Sequence, residues 1–222
     1  MSSGRFSPSS RARLTTHDLG RFSRSTLFDR IGRALCDAGC LPRKELYESW
    51  EVARRARRLF RGGRVVDVAG GHGLLAHVML LLDDTSGSAV VVDPARPSSA
   101  EAIHDTLVQA WPRLKGRVSY DTGDVGSFAF RKDDVVVSCH ACGALTDRII
   151  DAAAAARVRM AILPCCHDVD TCDAGDLTGW MDAALAIDAV RVMRLRERGY
   201  RVRTQVIPAG ITPKNRLILA AI

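Results

Sequence analysis

Short runs of apolar residues alternate with segments of helical periodicity over the last two thirds of the chain. The valine-rich runs at 64–69, 89–93 and 134–138 are typical of parallel strands that are buried on both faces. A proline- and glycine-containing turn near the end joins two further strands, and this length of turn favours antiparallel pairing. The alternation predicts five β-α units followed by a β-hairpin, and therefore an α/β fold with a mostly parallel, seven-stranded sheet.

The predicted strands cover 64–69, 89–93, 118–121, 134–138, 159–163, 200–207 and 216–220. The predicted helices of this part cover 72–82, 98–111, 146–156 and 177–198. Residues 1–16 are rich in Ser, Arg and Pro, which is typical of a disordered basic tail. Residues 17–62 form a helical segment in this interpretation, with helices at 19–38 and 43–60, and we expect it to cover the mouth of the 63–222 domain.

The positive charge is concentrated before residue 63. Residues 1–62 contain 14 Lys and Arg against 6 Asp and Glu, whereas residues 63–222 contain 18 against 19. One face of the second predicted helix carries Arg54, Arg55, Arg57 and Arg58. Such asymmetry indicates a phosphate-bearing partner, although a solvated arginine-rich helix and tail would look the same.

The chain has seven cysteines, an odd number, and no export signal is recognisable before them. We therefore expect reduced thiols in the cytoplasm rather than a disulfide framework. No stretch of 18 apolar residues predicts a membrane span.

A glycine loop follows the first predicted strand. Asp67 ends the strand, Gly70, Gly71 and Gly73 follow, and an apolar helix comes next. Such glycines let a backbone approach a nucleotide closely, and the free N–H groups of the helix favour electronegative atoms. A carboxylate at Asp67 would repel a pyrophosphate but favour a cationic ligand. The G-x-G-x-x-A spacing also fits a dinucleotide site, but no length remains for the substrate domain of a dehydrogenase.

The segment from Asp67 to Gly73 resembles the first motif of class I S-adenosylmethionine-dependent methyltransferases, acid-x-G-x-G-x-G, with Ala69 at the first glycine position. The resemblance implies a Rossmann-like fold and S-adenosylmethionine as cofactor. It implies that Asp67 orients the methionine part and that Asp124 lies near the adenine. Asp93, which ends the second strand, can accept both ribose hydroxyls. The predicted cofactor-binding residues are Asp67, Ala69, Gly70, Gly71, Gly73, Asp93, Asp124, Val125 and Ser138.

Two later segments resemble a narrower family. An H-x-C-G-x-x-T-D segment begins at His140, and a C-C-H segment begins at Cys165. Together with Ile-Thr-Pro-Lys-Asn-Arg-Leu at 211–217, they resemble the transfer-RNA 2′-O-methyltransferases of the acceptor stem and the glutathione S-transferase C-terminal domain-containing protein. The resemblance covers residues 43–222 and implies RNA as the substrate class, with transfer RNA as the specific candidate.

Several interpretations of this Cys/His cluster remain open. The candidate catalytic residues are His140, Cys142, Cys166 and His167. A histidine could act as general base, a cysteine could attack a pyrimidine, or the group could merely shape the pocket. A metal site could also draw on Cys139, His140, Cys142, Cys165, Cys166, His167 and Cys172, but the spacing is not that of a standard zinc site, and we expect no metal.

The sequence therefore predicts an S-adenosylmethionine-dependent methyltransferase that acts on RNA and binds it through the arginine-rich helix. A small-molecule methyltransferase is the alternative, and a catalytically silent RNA-binding module is a third interpretation. No N-P-P-Y segment follows the fourth strand, which argues against methylation of exocyclic amines, and the K-D-K-E tetrad of many 2′-O enzymes has no assignable counterpart.

Overall fold

The computed structural model describes residues 12–222. The helices are α1 (Leu27–Ala38), α2 (Arg43–Leu59), α3 (Leu74–Leu82), α4 (Ser99–Ala110), α5 (Ala144–Ala155) and α6 (Ala183–Glu197). The strands are β1 (Val65–Val68), β2 (Ala89–Val92), β3 (Val118–Asp121), β4 (Val135–Ser138), β5 (Arg159–Ile162), β6 (Arg201–Val206) and β7 (Arg216–Ala221). Short 3₁₀ helices span Thr16–Arg21, Pro112–Leu114 and Leu177–Gly179.

The seven strands form one sheet in the order β3-β2-β1-β4-β5-β7-β6. The first five are parallel, and β7 pairs antiparallel with both β5 and β6. The predicted fold class, with its C-terminal antiparallel hairpin, is confirmed. The valine runs of β1, β2 and β4 are fully buried because helices cover both faces of the sheet.

The two faces carry different layers. One face packs against α1, α2, α3 and α4, and the other against α5 and α6. Residues 122–134 cross from β3 to β4 without a helix, in agreement with the predicted helix bounds, so the count of five β-α units is wrong at the third. Phe128 and Phe130 of this crossover pack against the second face with their rings edge to face, 5.0 Å apart.

The N-terminal helices share the main core. Leu46, Val52 and Ala56 of α2 are buried in the same cluster as the residues of α3 and the sheet. Residues 12–16, which composition assigned to a disordered tail, are held against this layer: Leu14 is buried, and its N–H donates to the carbonyl oxygen of Leu41 at 2.8 Å. The remainder of the predicted tail, residues 1–11, lies outside the described residues.

Local capping moves two predicted helix starts. The helix expected over 19–38 is divided, and α1 begins at Leu27 because the Thr26 side chain accepts the N–H of Asp29. The helix expected from 177 begins at Ala183, where the carboxylate of Asp182 accepts the N–H of Leu185 at 3.0 Å. Within the described part of the chain, no helix combines the length and the apolar character needed to cross a membrane.

Arg57 does not belong to a solvated face, contrary to the sequence interpretation. Its side chain is buried, donates to the carbonyl oxygen of Met79 at 3.1 Å, and lies 3.3 Å from the carboxylate of Asp83. Burial lowers the pKa of Arg57 to about 10. Burial of Asp83 would raise its pKa, but hydrogen bonds from Thr85 and Gly62 outweigh this and lower it to about 2. This ion pair ties the end of α2 to the end of α3.

We expect Arg57→Ala to lower the free energy of unfolding by about 3 kcal/mol, because it removes the buried cation of Asp83 and leaves its carboxylate with only the exposed Arg61, 3.7 Å away. The matched control is Arg58→Ala, one residue along the same helix but exposed, which should change stability by less than about 0.5 kcal/mol. Urea denaturation of both variants measures the difference. Equal destabilisation by the two substitutions would contradict the structural role of Arg57.

Candidate functional site

The carboxyl ends of β1, β2, β3, β4 and β5 meet at one edge of the sheet, where ligands of open α/β sheets bind. Five segments begin at these strand ends. They are the glycine loop after β1, the acid-containing segments after β2 and β3, and the two cysteine-containing segments after β4 and β5. The first half of α2 also reaches this edge. The candidate site is built from these segments.

The glycine loop lies directly against the sheet. A Cβ atom at Gly70 would meet the side chains of Asp67 at 2.7 Å and Val91 at 2.8 Å. At Gly73, which has a φ of +74°, a Cβ atom would meet Val91 at 2.7 Å and the hydroxyl of Tyr120 at 2.8 Å. A Cβ atom at Gly71 would meet no atom within 4 Å, so the loop backbone is open to a ligand there.

Ala69 takes the first glycine position of the motif and has a φ of +54°. This left-handed conformation costs a residue with a Cβ atom about 1–2 kcal/mol relative to glycine. The N–H of Ala69 donates to the carbonyl oxygen of Val92 at 2.8 Å, which holds the residue in place. The loop therefore keeps the backbone path that the motif predicts despite the departure in sequence.

Asp67 is a buried carboxyl group between valines. Its neighbours across the sheet are Val91 on β2 and Val137 on β4, and its carboxylate accepts the N–H of Ala76 at 3.0 Å. Burial raises the pKa of Asp67 to about 7, against the opposing effect of that hydrogen bond. Because a nearby cation would stabilise the ionised carboxylate, the geometry suits a positively charged ligand.

Asp93 lies where β2 ends and connects directly to the glycine loop. One of its carboxylate oxygens accepts the N–H of Gly71 at 3.0 Å, and the other accepts the N–H of Ala95 at 3.1 Å. Each oxygen keeps a further lone pair that can accept a hydroxyl group. Asp93 therefore keeps acceptor capacity for a ligand that lies beside Gly71.

The remaining predicted cofactor residues lie at the ends of β3 and β4. Asp124 is exposed, and its pKa is lowered by the N–H of Gly126 and by the guanidinium group of Arg148. Val125 is buried beside it. Ser138 is fully buried, and its hydroxyl has no hydrogen-bond partner in the structure.

Two glutamates of α2 lie close to histidines at this edge of the sheet, and the sequence analysis identified neither acid as part of the site. Glu45 lies 2.5 Å from the Nε2 atom of His72 in the glycine loop. Burial raises the pKa of Glu45, but the bond to His72 outweighs this and lowers it. Glu48 is almost fully buried and lies 3.7 Å from Nε2 of His140. Their spacing of three residues puts both acids on one helix face, which was the available signal.

The four arginines between residues 54 and 58 occupy the other half of α2. Arg57 is bound at the end of α3 that lies farthest from the glycine loop, and Arg54 and Arg55 pair with Glu51. Arg58 is exposed. Arg57 therefore cannot contribute to an exposed arginine surface on α2, and the α2 groups that approach the glycine loop and the end of β4 are acids.

The four candidate catalytic residues divide into separate groups. His140 is exposed and faces Glu48. Cys142 and Cys166 lie together with Cys165, with Cys142 Sγ 3.3 Å from Cys166 Sγ. His167 points inward instead: its side chain is only 2% exposed, and Nε2 lies 2.9 Å from Asp188 of α6. The ring of His167 is therefore not accessible at the edge of the sheet where the candidate site lies.

Arg191 of α6 holds the two cysteine-containing segments in position. It is fully buried and donates to the carbonyl oxygen of Gly143 at 3.2 Å and to the carboxylate of Asp147 at 2.7 Å. It also contacts Asp188, which binds His167. The segments are joined directly by the N–H of Gly143, which donates to the carbonyl oxygen of Cys166 at 3.3 Å.

Comparison with solved structures shows what kind of protein has this architecture. Mitomycin 7-O-methyltransferase MmcR superposes with a TM-score of 0.54 at 19% identity, covering 92% of this chain and 66% of that one. The S-adenosylmethionine-dependent methyltransferase SibL gives 0.52 at 19% identity, with coverage of 94% and 65%. Precorrin-6y C5,15-methyltransferase from Geobacter metallireducens gives 0.50 at 14% identity, with coverage of 78% and 86%. The chain thus spans slightly less than two thirds of the length of MmcR and SibL.

These likenesses show the fold, which is that of Rossmann-like methyltransferases. Residues 47–170 match a sequence family described as a methyltransferase domain, and the chain belongs to that family. A search of curated proteins found no match.

We expect the buried carboxyl of Asp67 to make stability depend on pH. Its folded pKa of about 7 lies above the unfolded value, about 3.9, so between these values the folded state retains a proton that the unfolded state has lost. The contribution of Asp67 to the free energy of unfolding therefore falls as pH rises from about 4 to about 7, by at most about 4 kcal/mol.

Chemical denaturation across this pH range should show the fall in the wild type and a shallower profile in Asp67→Asn, which cannot ionise. Asp105→Asn, on the exposed side of α4, serves as the control and should keep the wild-type profile. Parallel profiles for the wild type and Asp67→Asn would show that the carboxyl is ionised normally in the folded protein.

Proposed function

We propose that this protein is an S-adenosylmethionine-dependent methyltransferase whose acceptor is RNA. The observation that carries the cofactor assignment is the glycine loop, whose closeness to the sheet excludes side chains at Gly70 and Gly73 while its backbone stays open at Gly71. This cradle lies between Asp67 and Asp93, which suit a cationic amino acid group and a ribose. The fold shared with the S-adenosylmethionine-dependent methyltransferase SibL supports the same cofactor assignment.

The residues of the chain divide the work as follows. Asp67 holds the ammonium group of the cofactor, Asp93 the ribose hydroxyls, and Asp124 with Val125 the adenine side. When bound, the cofactor would supply a methyl group whose bond to the positively charged sulfur breaks as the acceptor atom bonds to the methyl carbon, leaving S-adenosylhomocysteine. His140, the exposed histidine at the end of β4, takes the proton of the acceptor group, and Glu48 places a carboxylate 3.7 Å from its Nε2 atom.

Two observations favour RNA as the acceptor. Residues 1–62 of the sequence carry 14 Lys and Arg against 6 Asp and Glu, and phosphates are natural partners of such an excess of positive charge. The motifs around His140 and Cys165 resemble those of transfer-RNA 2′-O-methyltransferases. Arg58 is exposed, and the side chain of Arg54 is 32% exposed although it pairs with Glu51.

A small-molecule acceptor is the second candidate. The α2 residues that reach the edge of the site are Glu45 and Glu48 rather than arginines, and acids beside the transferable methyl group would repel a phosphate. Mitomycin 7-O-methyltransferase MmcR, which has the same fold, is named for a small-molecule acceptor. These two candidates differ in an assay that offers both kinds of acceptor.

The direct test supplies S-adenosylmethionine with a labelled methyl group to the full chain, with total cellular RNA in one reaction and a small-metabolite extract in another. We expect label in RNA. Asp93→Ala should weaken binding of S-adenosylhomocysteine by about 2–3 kcal/mol, or roughly 30- to 150-fold, and reduce transfer accordingly. Asp105→Ala is the matched control. Label in the metabolite fraction alone would show that the acceptor is a small molecule. Absence of label from both reactions would contradict the proposal that the protein is an active methyltransferase.

Salt dependence tests the arginine surface separately. If Arg54, Arg55 and Arg58 contact phosphates, the logarithm of RNA affinity should fall with the logarithm of salt concentration by roughly 0.7–0.9 per contact. Replacing all three with Gln should flatten this slope and leave S-adenosylhomocysteine binding unchanged.

The control variant replaces three exposed arginines of α6 and β6, Arg196, Arg201 and Arg203, with Gln, so that the net charge changes equally. Fluorescence anisotropy at several salt concentrations measures both slopes. If the two variants behave alike, the effect belongs to total charge, and the surface on α2 is not the RNA contact.

A further inference from the structure

Three thiols of the candidate site lie in mutual contact. Cys142 follows β4, and Cys165 and Cys166 follow β5, the adjacent strand. The Sγ atom of Cys142 lies 3.0 Å from that of Cys165 and 3.3 Å from that of Cys166, and the last two are 3.8 Å apart. Protonated thiols gain little from such crowding, because S–H is a weak donor and sulfur a weak acceptor.

We propose that Cys142, Cys165 and Cys166 form a binding site for a thiophilic divalent cation of the zinc type. Zn²⁺ binds thiolate sulfur at about 2.3 Å in tetrahedral geometry, so sulfurs that share one zinc ion lie about 3.8 Å apart. The observed separations are equal to this value or up to 0.8 Å shorter. Slight spreading of the three side chains would centre a zinc ion between them.

The backbone around the thiols is fixed before any ion binds. The hydrogen bond from Gly143 N–H to the Cys166 carbonyl joins the two segments, and Arg191 holds Gly143 from the other side. The thiol of Cys165 contacts the carbonyl oxygen of Ala141 at 3.4 Å. A site with positioned ligands binds more tightly than one that must be ordered first.

The fourth coordination position faces solvent. Cys142 and Cys166 are exposed, and across residues 12–222 no fourth Cys, His, Asp or Glu ligand atom joins the cluster. Three protein ligands and an open position are the arrangement of reactive rather than purely structural zinc sites. The position would take water or a donor atom of a bound molecule. This proposal replaces the expectation of no metal, and it stands independently of the proposed methyl transfer.

The test titrates the reduced, metal-free full chain with Co²⁺, which reports thiolate coordination by visible and near-ultraviolet absorption, and then displaces it with Zn²⁺. We expect one ion per chain. Cys142→Ser, Cys165→Ser and Cys166→Ser should each weaken binding at least tenfold. Cys40→Ser, a partly exposed cysteine of the N-terminal layer, should bind as the wild type does.

Alkylation of the wild type provides a second measurement that does not depend on the folding of variants. Zn²⁺ should protect Cys142, Cys165 and Cys166 from iodoacetamide while leaving the labelling of Cys40 unchanged. Lack of a thiolate absorption band, or equal protection of Cys40, would overturn the proposal. Recovery of a Cys142–Cys165 disulfide from reduced protein exposed to air, with no binding of Co²⁺ before oxidation, would also overturn it.

Discussion

Contact between the glycine loop and the sheet is the constraint on which the rest of the site depends. Gly70 lies against Asp67 and Val91, and Gly73 against Val91 and Tyr120, with no room for a Cβ atom at either residue. This contact sets the point at which α3 begins. Only with α3 in that place does the N–H of Ala76 meet the buried carboxylate of Asp67. A single packing requirement thus links β1, β2, β3 and α3.

The fold was largely predictable because its signals are local. Valine runs, helical periodicity and a Pro- and Gly-containing turn each depend on a few neighbouring residues, and together they determine the layers and the final hairpin. The errors have local physical causes as well. Thr26 and Asp182 cap helices that periodicity alone would have begun earlier, and the crossover from β3 to β4 packs two phenylalanines where a helix would otherwise lie.

The candidate site was predictable only as far as the strand ends. The places of Asp67 and Asp93 follow from the rule that ligands bind beyond the carboxyl ends of parallel strands. The pairing of Glu48 with His140 joins residues 92 positions apart, and no periodicity reports it. Arg57 and Arg58 look alike in sequence, yet one is buried and the other exposed, because the rotation of α2 on the sheet decides which of them meets Asp83.

The contacts of Arg191 show which part of the chain is needed to hold the site together. The match to the methyltransferase family covers residues 47–170, but His167 and Gly143 are held by Asp188 and Arg191, and Arg216 in turn binds Asp188. The stretch that identifies the family and the stretch that gives its motifs their shape therefore have different limits. An evolutionary module cut at the first limit would carry the residues of the site without the scaffold that assembles them.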